Sequence, residues 1–217
     1  MTLKPSRNDI RKHLSTTPAG RIISELASCV SYEDFVAVVN RAMDYIASNM
    51  AKNPEENSKL TENQLTIQIA NNLQSLTFAA RHDLKVGGHC DIVVEWGDTG
   101  LWLAEAKIFD DDYTWLYKGF QQLSTRYTSG AIHQNTGAML IYVLPPNARL
   151  IMQKWKAKLA KERPTIFIEA CASDPLAIIS QHEHERSGLT LTVRHKPFLF
   201  NFNPQDRKPK KKNDGLP

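Results

Sequence analysis

The chain has 217 residues, a net charge of +4, and 41% hydrophobic against 23% charged residues. That balance belongs to a globule long enough to bury a substantial core. No apolar run approaches the roughly 18 residues that span a bilayer, and the polar start at Met1 to Arg7 lacks the hydrophobic stretch of a secretory signal. So mild a charge permits nucleic-acid binding without establishing it. Three scattered cysteines, Cys29, Cys90 and Cys171, make neither a disulfide framework nor a zinc site, which points to a reducing compartment.

No internal repeat is visible. Thr17 followed by Pro18 reads as a capped helix start, with Ile22, Ile23, Leu26 and Val30 as its apolar stripe. Ser31 with Asp34 restarts a helix that carries Phe35, Val38, Val39, Ala42 and Ile46 inward. Residues 53–58 read as a polar connector. Thr61 with Gln64 is a capping box, opening a helix that turns Leu65, Ile69, Leu73 and Leu76 to the core. A strand-like piece near Leu84 to Val86 follows, then a β-hairpin. An amphipathic helix runs from about Tyr113 to Tyr127 on the spacing of Leu116, Phe120 and Leu123. Ala138 to Leu144 is a nearly unbroken apolar run, as expected of a strand buried on both faces, and Pro145-Pro146 stops it. A basic helix over 147–163, a buried strand over 165–170 and a final strand or pair over 189–200 complete the reading. Strand, helix and strand in the middle imply a right-handed crossover and a mixed sheet with helices on both sides.

The hairpin concentrates the chemistry. Two apolar runs flank Gly97-Asp98-Thr99-Gly100, which has the residues of a turn. Side chains alternate along a strand, so Leu101, Leu103, Glu105 and Lys107 share one face, and Trp102, Ala104, Ala106 and Ile108 the other. A three- or five-residue turn, or one bulge, sets Asp91 opposite Glu105. Two carboxylates and an ammonium on a largely apolar sheet are costly as packing but sensible as a cation site.

A helical glutamate, Asp91 on a hairpin, Glu105-Ala106-Lys107 on its second strand, then a glutamine-bearing helix and a buried strand: this order resembles the PD-(D/E)XK nuclease superfamily, the restriction-endonuclease-like fold. The resemblance covers about residues 61–144 and is carried by Thr61-Glu62-Asn63-Gln64-Leu65, Glu105-Ala106-Lys107-Ile108-Phe109 and Gln122-Leu123. Cys90 stands where the motif name has proline, a position that varies in the family. The Gln-x-x-x-Tyr spacing of the RecB-like branch is not met, because Gln122 and Tyr127 are one residue too far apart and Gln121 has Thr125 at the required place.

The resemblance implies an α/β fold with an αβββαβ core, a mixed central sheet flanked by helices and an N-terminal helical extension. The chain then divides into an N-terminal helical extension over 1–57 and a nuclease-like domain over 58–203, and the composition of 204–217, with Arg207, Lys208, Lys210, Lys211 and Lys212 among prolines, predicts a disordered basic tail. It further implies Mg²⁺, replaceable by Mn²⁺, held by Asp91, Glu105, the Ala106 carbonyl and Glu62. Lys107 would activate water and offset phosphate charge, and Gln122, ahead of Gln121, would steady it. The expected activity is hydrolysis of phosphodiester bonds in DNA, in restriction, anti-phage defence or repair, in a bacterial or phage cytoplasm. The expected partners are DNA and, through the N-terminal helices, a second copy or a regulatory protein, with no membrane. The rival readings are a catalytically inactive nucleic-acid- or partner-binding module on the same scaffold and a toxin-type ribonuclease.

Each motif also has a plainer reading. Glu62 in a first helical turn favours the helix dipole without any catalysis. Its place three before Leu65, in line with the inward stripe, turns it toward the sheet. His182-Glu183-His184 resembles half a metal site but reads as a polar loop. Asp110-Asp111-Asp112 reads as a helix cap. Glu95 lies toward the hairpin tip, in solvent. Trp96, Trp102, Trp115 and Trp155 read as packing. The basic face with Lys154, Lys156, Lys158, Lys161 and Arg163 is permissive for phosphate and no more.

Overall fold

The computed structural model describes residues 15–206. The expected disordered tail falls almost wholly outside these residues. Helices α1 (Pro18–Leu26), α2 (Tyr32–Met50), α3 (Pro54–Asn57) and α4 (Glu62–Ser75) lead into strands β1 (Ala79–Lys85), β2 (His89–Trp96) and β3 (Gly100–Phe109). Helix α5 (Tyr113–Gln122) continues as a π-helical turn (Leu123–Tyr127) into β4 (Thr136–Val143), and α6 (Ala148–Glu162), β5 (Phe167–Ala170), β6 (Ile178–Glu183) and β7 (Thr190–Leu199) follow. The strands form one mixed seven-stranded sheet in the order β1-β2-β3-β4-β7-β6-β5. The β1-β2-β3 unit is antiparallel, whereas β3, β4 and β7 run parallel.

Helix starts sit where the caps place them. Thr17 Oγ1 accepts from Gly20 N at 3.0 Å, and Ser31 and Asp34 form a reciprocal box. Thr61 and Gln64 do the same at α4. Each box satisfies amides that a helix cannot bond internally.

Both faces of the sheet are covered. On one, Phe35, Val38, Val39, Met43 and Ile46 of α2 and Leu65, Ile69 and Leu73 of α4 pack on Ile92, Val94, Trp102, Ala104, Leu140 and Tyr142. On the other, Leu116 and Phe120 of α5 and Trp155 and Leu159 of α6 pack on Val93, Leu103, Met139, Ile141 and Val193. Strand β4 is buried on both faces, as its apolar run predicts. Burying side chains of this size contributes about 1.5–3 kcal/mol each. Under α2, β7 adds a charged layer: Arg194, only 4% exposed, and Lys196 meet Asp44 and Asp174.

Several sequence expectations need correction. Helix α1 ends at Leu26, and Val30 is exposed instead of completing the stripe. The 53–58 connector contains the short α3. Strand β1 begins at Ala79, well before Leu84; as an edge strand it has one inward position, Ala80, that is fully buried, so its pattern is weak. The expected buried strand over 165–170 is the opposite edge, β5, which pairs only with β6 and leaves Phe167 exposed. The expected polar loop at His182-Glu183-His184 is wrong. His182 lies in β6 and both histidines are buried. His184 is satisfied by Thr128 and the Arg186 amide. Burial pushes the His182 pKa down to about 4.

Candidate active site

The β2–β3 register, with Ile92 facing Ala104 and Trp96 facing Gly100, closes the hairpin on three residues, Gly97 to Thr99. One further step of that register points Asp91 at Glu105, but the β2–β3 pairing stops at Ile92. Beyond it β2 stays with β1 through Leu84↔Cys90 and Lys85↔His89, so β2 and β3 part into a fork. The β3 amides left without a strand partner must bond elsewhere. Two carboxylates take them: Asp91 Oδ2 accepts from Ala106 N at 2.7 Å, and Glu62 Oε2 from Ile108 N at 2.8 Å. Glu62 thus bonds the backbone of the strand that carries Glu105 and Lys107, from the first turn of α4. That end of α4 is tied down by Thr66 Oγ1, which bonds the Glu62 carbonyl at 2.7 Å and stands 2.9 Å from the Tyr142 hydroxyl on β4.

Lys107 lies at the centre. Its Nζ is 2.7 Å from Glu105 Oε1 and 3.3 Å from Glu62 Oε1, and it donates to the Ala106 carbonyl at 3.0 Å. The indole of Trp115 covers it, with Nζ 5.2 Å from the ring centroid. Lys107 is 6% exposed and Glu105 2%. The lysine stem fits because α5 has glycine at 119, where an added Cβ would meet Lys107 Cγ at 3.0 Å. The β1–β2 turn closes under the same helix: Gly87 has φ +65°, and a Cβ there would stand 2.0 Å from the Arg126 carbonyl oxygen.

These contacts set the electrostatics. Burial, then the negative Asp91, lifts the Glu105 pKa to about 7 against the pull of Lys107. Asp91 is also raised, by burial, although the Ala106 amide and Lys107 oppose it. Burial works against the Lys107 ammonium, but Glu105, Glu62 and Asp91 outweigh it and raise its pKa. The Cys90 thiol is pushed well up by burial and by the two acids, so it stays protonated.

A stability prediction follows from Glu105. Its pKa is higher in the folded chain than the usual 4.5, so its contribution is complete below that value and is lost as pH rises through about 7. Glu105→Gln removes that loss. In EDTA at about pH 8.5 the variant should melt above the wild type by roughly 5 °C. At about pH 4.5 the two should coincide. A lower melting point at alkaline pH would contradict the assignment.

Among the described residues, no three His, Cys, Asp or Glu side chains form a ready cluster for a metal ion. The donor chemistry nevertheless suits a hard cation. Glu105 Oε2 is buried without a hydrogen-bond partner, Asp91 commits one of its two oxygens to Ala106 N, and the Ala106 carbonyl lies in the same fork.

Of the residues singled out from sequence, Asp91, Glu105, Ala106, Lys107 and Glu62 therefore meet. Gln122 does not join them by a hydrogen bond. It lines a groove of about 300 Å³ with Trp115, Lys118, Gln121, Thr125 and Arg126. Asp112 caps α5, accepting from Thr114 N and Trp115 N. Glu95 pairs with Arg81 at 3.5 Å, and the basic helix spends Lys158 on Glu162 and Arg163 on Glu185. The covering role of Trp115 was missed; its signal is its place one turn before Gly119, on the helix face that crosses Lys107. Comparison with protein-family models, curated proteins and solved structures returns no match for this chain. Among the described residues, no helix is long and apolar enough to cross a membrane.

Proposed function

We propose that the fork is the active site of a Mg²⁺-dependent nuclease of the PD-(D/E)XK, restriction-endonuclease-like kind, hydrolysing phosphodiester bonds in DNA in a bacterial or phage cytoplasm. The carrying observation is a buried ammonium held between Glu105 and Glu62 where β2 and β3 part, with Asp91 bonded to the same strand. The order α4, β1, β2, β3, α5, β4 supports it, since three antiparallel strands and a parallel fourth are what that fold requires.

Asp91, Glu105 and the Ala106 carbonyl would hold the cation, with Glu62 beside them. Bound Mg²⁺ supplies Lewis acidity toward the phosphate and lowers the pKa of a bound water. Lys107 places a fixed positive charge against the phosphoryl oxygens and orients the attacking water by hydrogen bonding. Burial strengthens that charge, because little water screens it. Trp115 and the stem of Lys107 keep bulk solvent from one side of the ammonium.

Restriction, anti-phage defence or repair is the setting this activity serves. A second copy or a regulatory protein binding the N-terminal helices would use their outer face, because the inner face of α2 is filled by the chain's own core. A non-catalytic DNA-binding module is the second reading. The ion pairs already engaging Lys107 on two sides favour it, and it predicts binding without cleavage. Plasmid DNA and tRNA incubated side by side with Mg²⁺ test the proposal: the plasmid is cut and the tRNA is not. Cleavage of tRNA alone would make the protein a ribonuclease.

A further inference from the structure

Trp115 is 45% exposed although its ring already covers the Lys107 ammonium. One face of the indole is taken by the ammonium, and nearly half of the residue remains open to solvent. Its backbone is fixed, because Trp115 N donates to the Asp112 cap at 3.1 Å. The groove it opens sets two cations, two amides and a hydroxyl beside the indole. Lys118 follows one helical turn on, Arg126 closes the far end, and Gln121 and Gln122 offer amides between them. Arg126 is exposed. Nearby, Arg186 is anchored to the Thr125 carbonyl at 2.6 Å and adds positive charge.

We infer that Trp115 is a stacking platform for one unpaired base of a DNA strand, with Lys118 and Arg126 tracking its backbone away from the Lys107 centre. An aromatic face beside paired cations is what single strands use, because every base has a π-face and every nucleotide a phosphate. A base within an intact duplex is covered on both sides by its neighbours, so the platform selects single-stranded or locally opened DNA. The inference rests on the nuclease reading for its substrate, and names the form that substrate takes. Trp115 acts here as a positioning residue.

The test is fluorescence anisotropy of the full chain in EDTA, with a labelled single strand of about twenty thymidines and a duplex of equal length. The wild type should bind the single strand more tightly. Trp115→Ala and Trp115→Leu should each weaken that binding by about tenfold, Trp115→Phe should restore most of it, and duplex affinity should barely change. The salt dependence of binding should keep its slope in the tryptophan variants but become shallower in Arg126→Ala, which loses a phosphate contact. Equal affinity of the wild type for both forms, or single-strand affinity unchanged in both Trp115→Ala and Trp115→Leu, overturns the inference. Because no metal is present, the outcome is independent of catalysis. Tryptophan-dependent binding by a protein that never cuts would sink only the nuclease reading, and single-strand affinity that ignores Trp115 in a protein that does cut would sink only this one.

Discussion

Lys107→Ala should lower the rate of DNA cleavage by at least about 10³-fold, the scale of loss when a fixed charge aimed at the developing negative charge is removed. The side chain is buried, held by Glu105 and Glu62, and capped by Trp115, so its charge is fixed in the fork. The fold should survive, because Glu105, already at about 7, simply holds its proton once the ammonium is gone. Lys107→Arg should rescue little. The stem runs against Gly119, and a planar guanidinium does not reproduce the compact ammonium's fit between Glu105 and Glu62. Single-turnover cleavage of a linear DNA checks both variants. A rate within tenfold of the wild type for Lys107→Ala, in a protein that melts normally, would remove Lys107 from the chemistry.

The largest effect on stability is expected from Asp44→Ala. Arg194 Nη2 lies 2.8 and 3.0 Å from the two Asp44 oxygens, and Lys196 Nζ is 2.9 Å from one of them. Without Asp44 the layer keeps two cations against Asp174 alone, and Arg194, whose Nε is already unpartnered, retains the Asn40 carbonyl and the Ser173 hydroxyl. Breaking a buried pair from one side costs about 3 kcal/mol, which for a chain of this size lowers the melting temperature by roughly 10 °C. Asp44→Asn should fall between the two proteins in a thermal melt. A melting point for Asp44→Ala equal to that of the wild type would show that α2 is held by its apolar face alone.

How much of this was readable beforehand depends on the range of the interaction. Caps and periodicities are local, so Thr17, Ser31 and Thr61 placed the starts of α1, α2 and α4, although the α1 stripe overran the helix end at Val30. The hairpin around Gly97 to Gly100 was readable, but its register was not: three-residue, five-residue and bulged turns all bring Asp91 to Glu105, and the Ile92–Ala104 pairing selects the three-residue one. The fork is different. It arises because β2 stays with β1 while β3 goes with β4, a competition that no window of the chain contains. Strand β6 was invisible because Ser180, Gln181 and His182 read as polar; burial is tolerated where Ser180 bonds His195 at 2.8 Å across to β7. The Asp44–Arg194 pair joins residues 150 apart. The π turn after Gln122 depends on how Leu123 and Tyr127 seat against the sheet and the β1–β2 turn, and Trp115 meets Lys107 only because α5 packs across β3 at Gly119.

The central claim is that the carboxylates of the fork make phosphodiester cleavage depend on a divalent ion. The most direct measurement is conversion of supercoiled plasmid by the full chain as Mg²⁺ is titrated, with Glu105→Gln as the matched control. Nicked and linear products that rise with Mg²⁺, vanish in EDTA and are absent for Glu105→Gln are the predicted result. Cleavage that persists in EDTA, or a Glu105→Gln protein as active as the wild type, would contradict it.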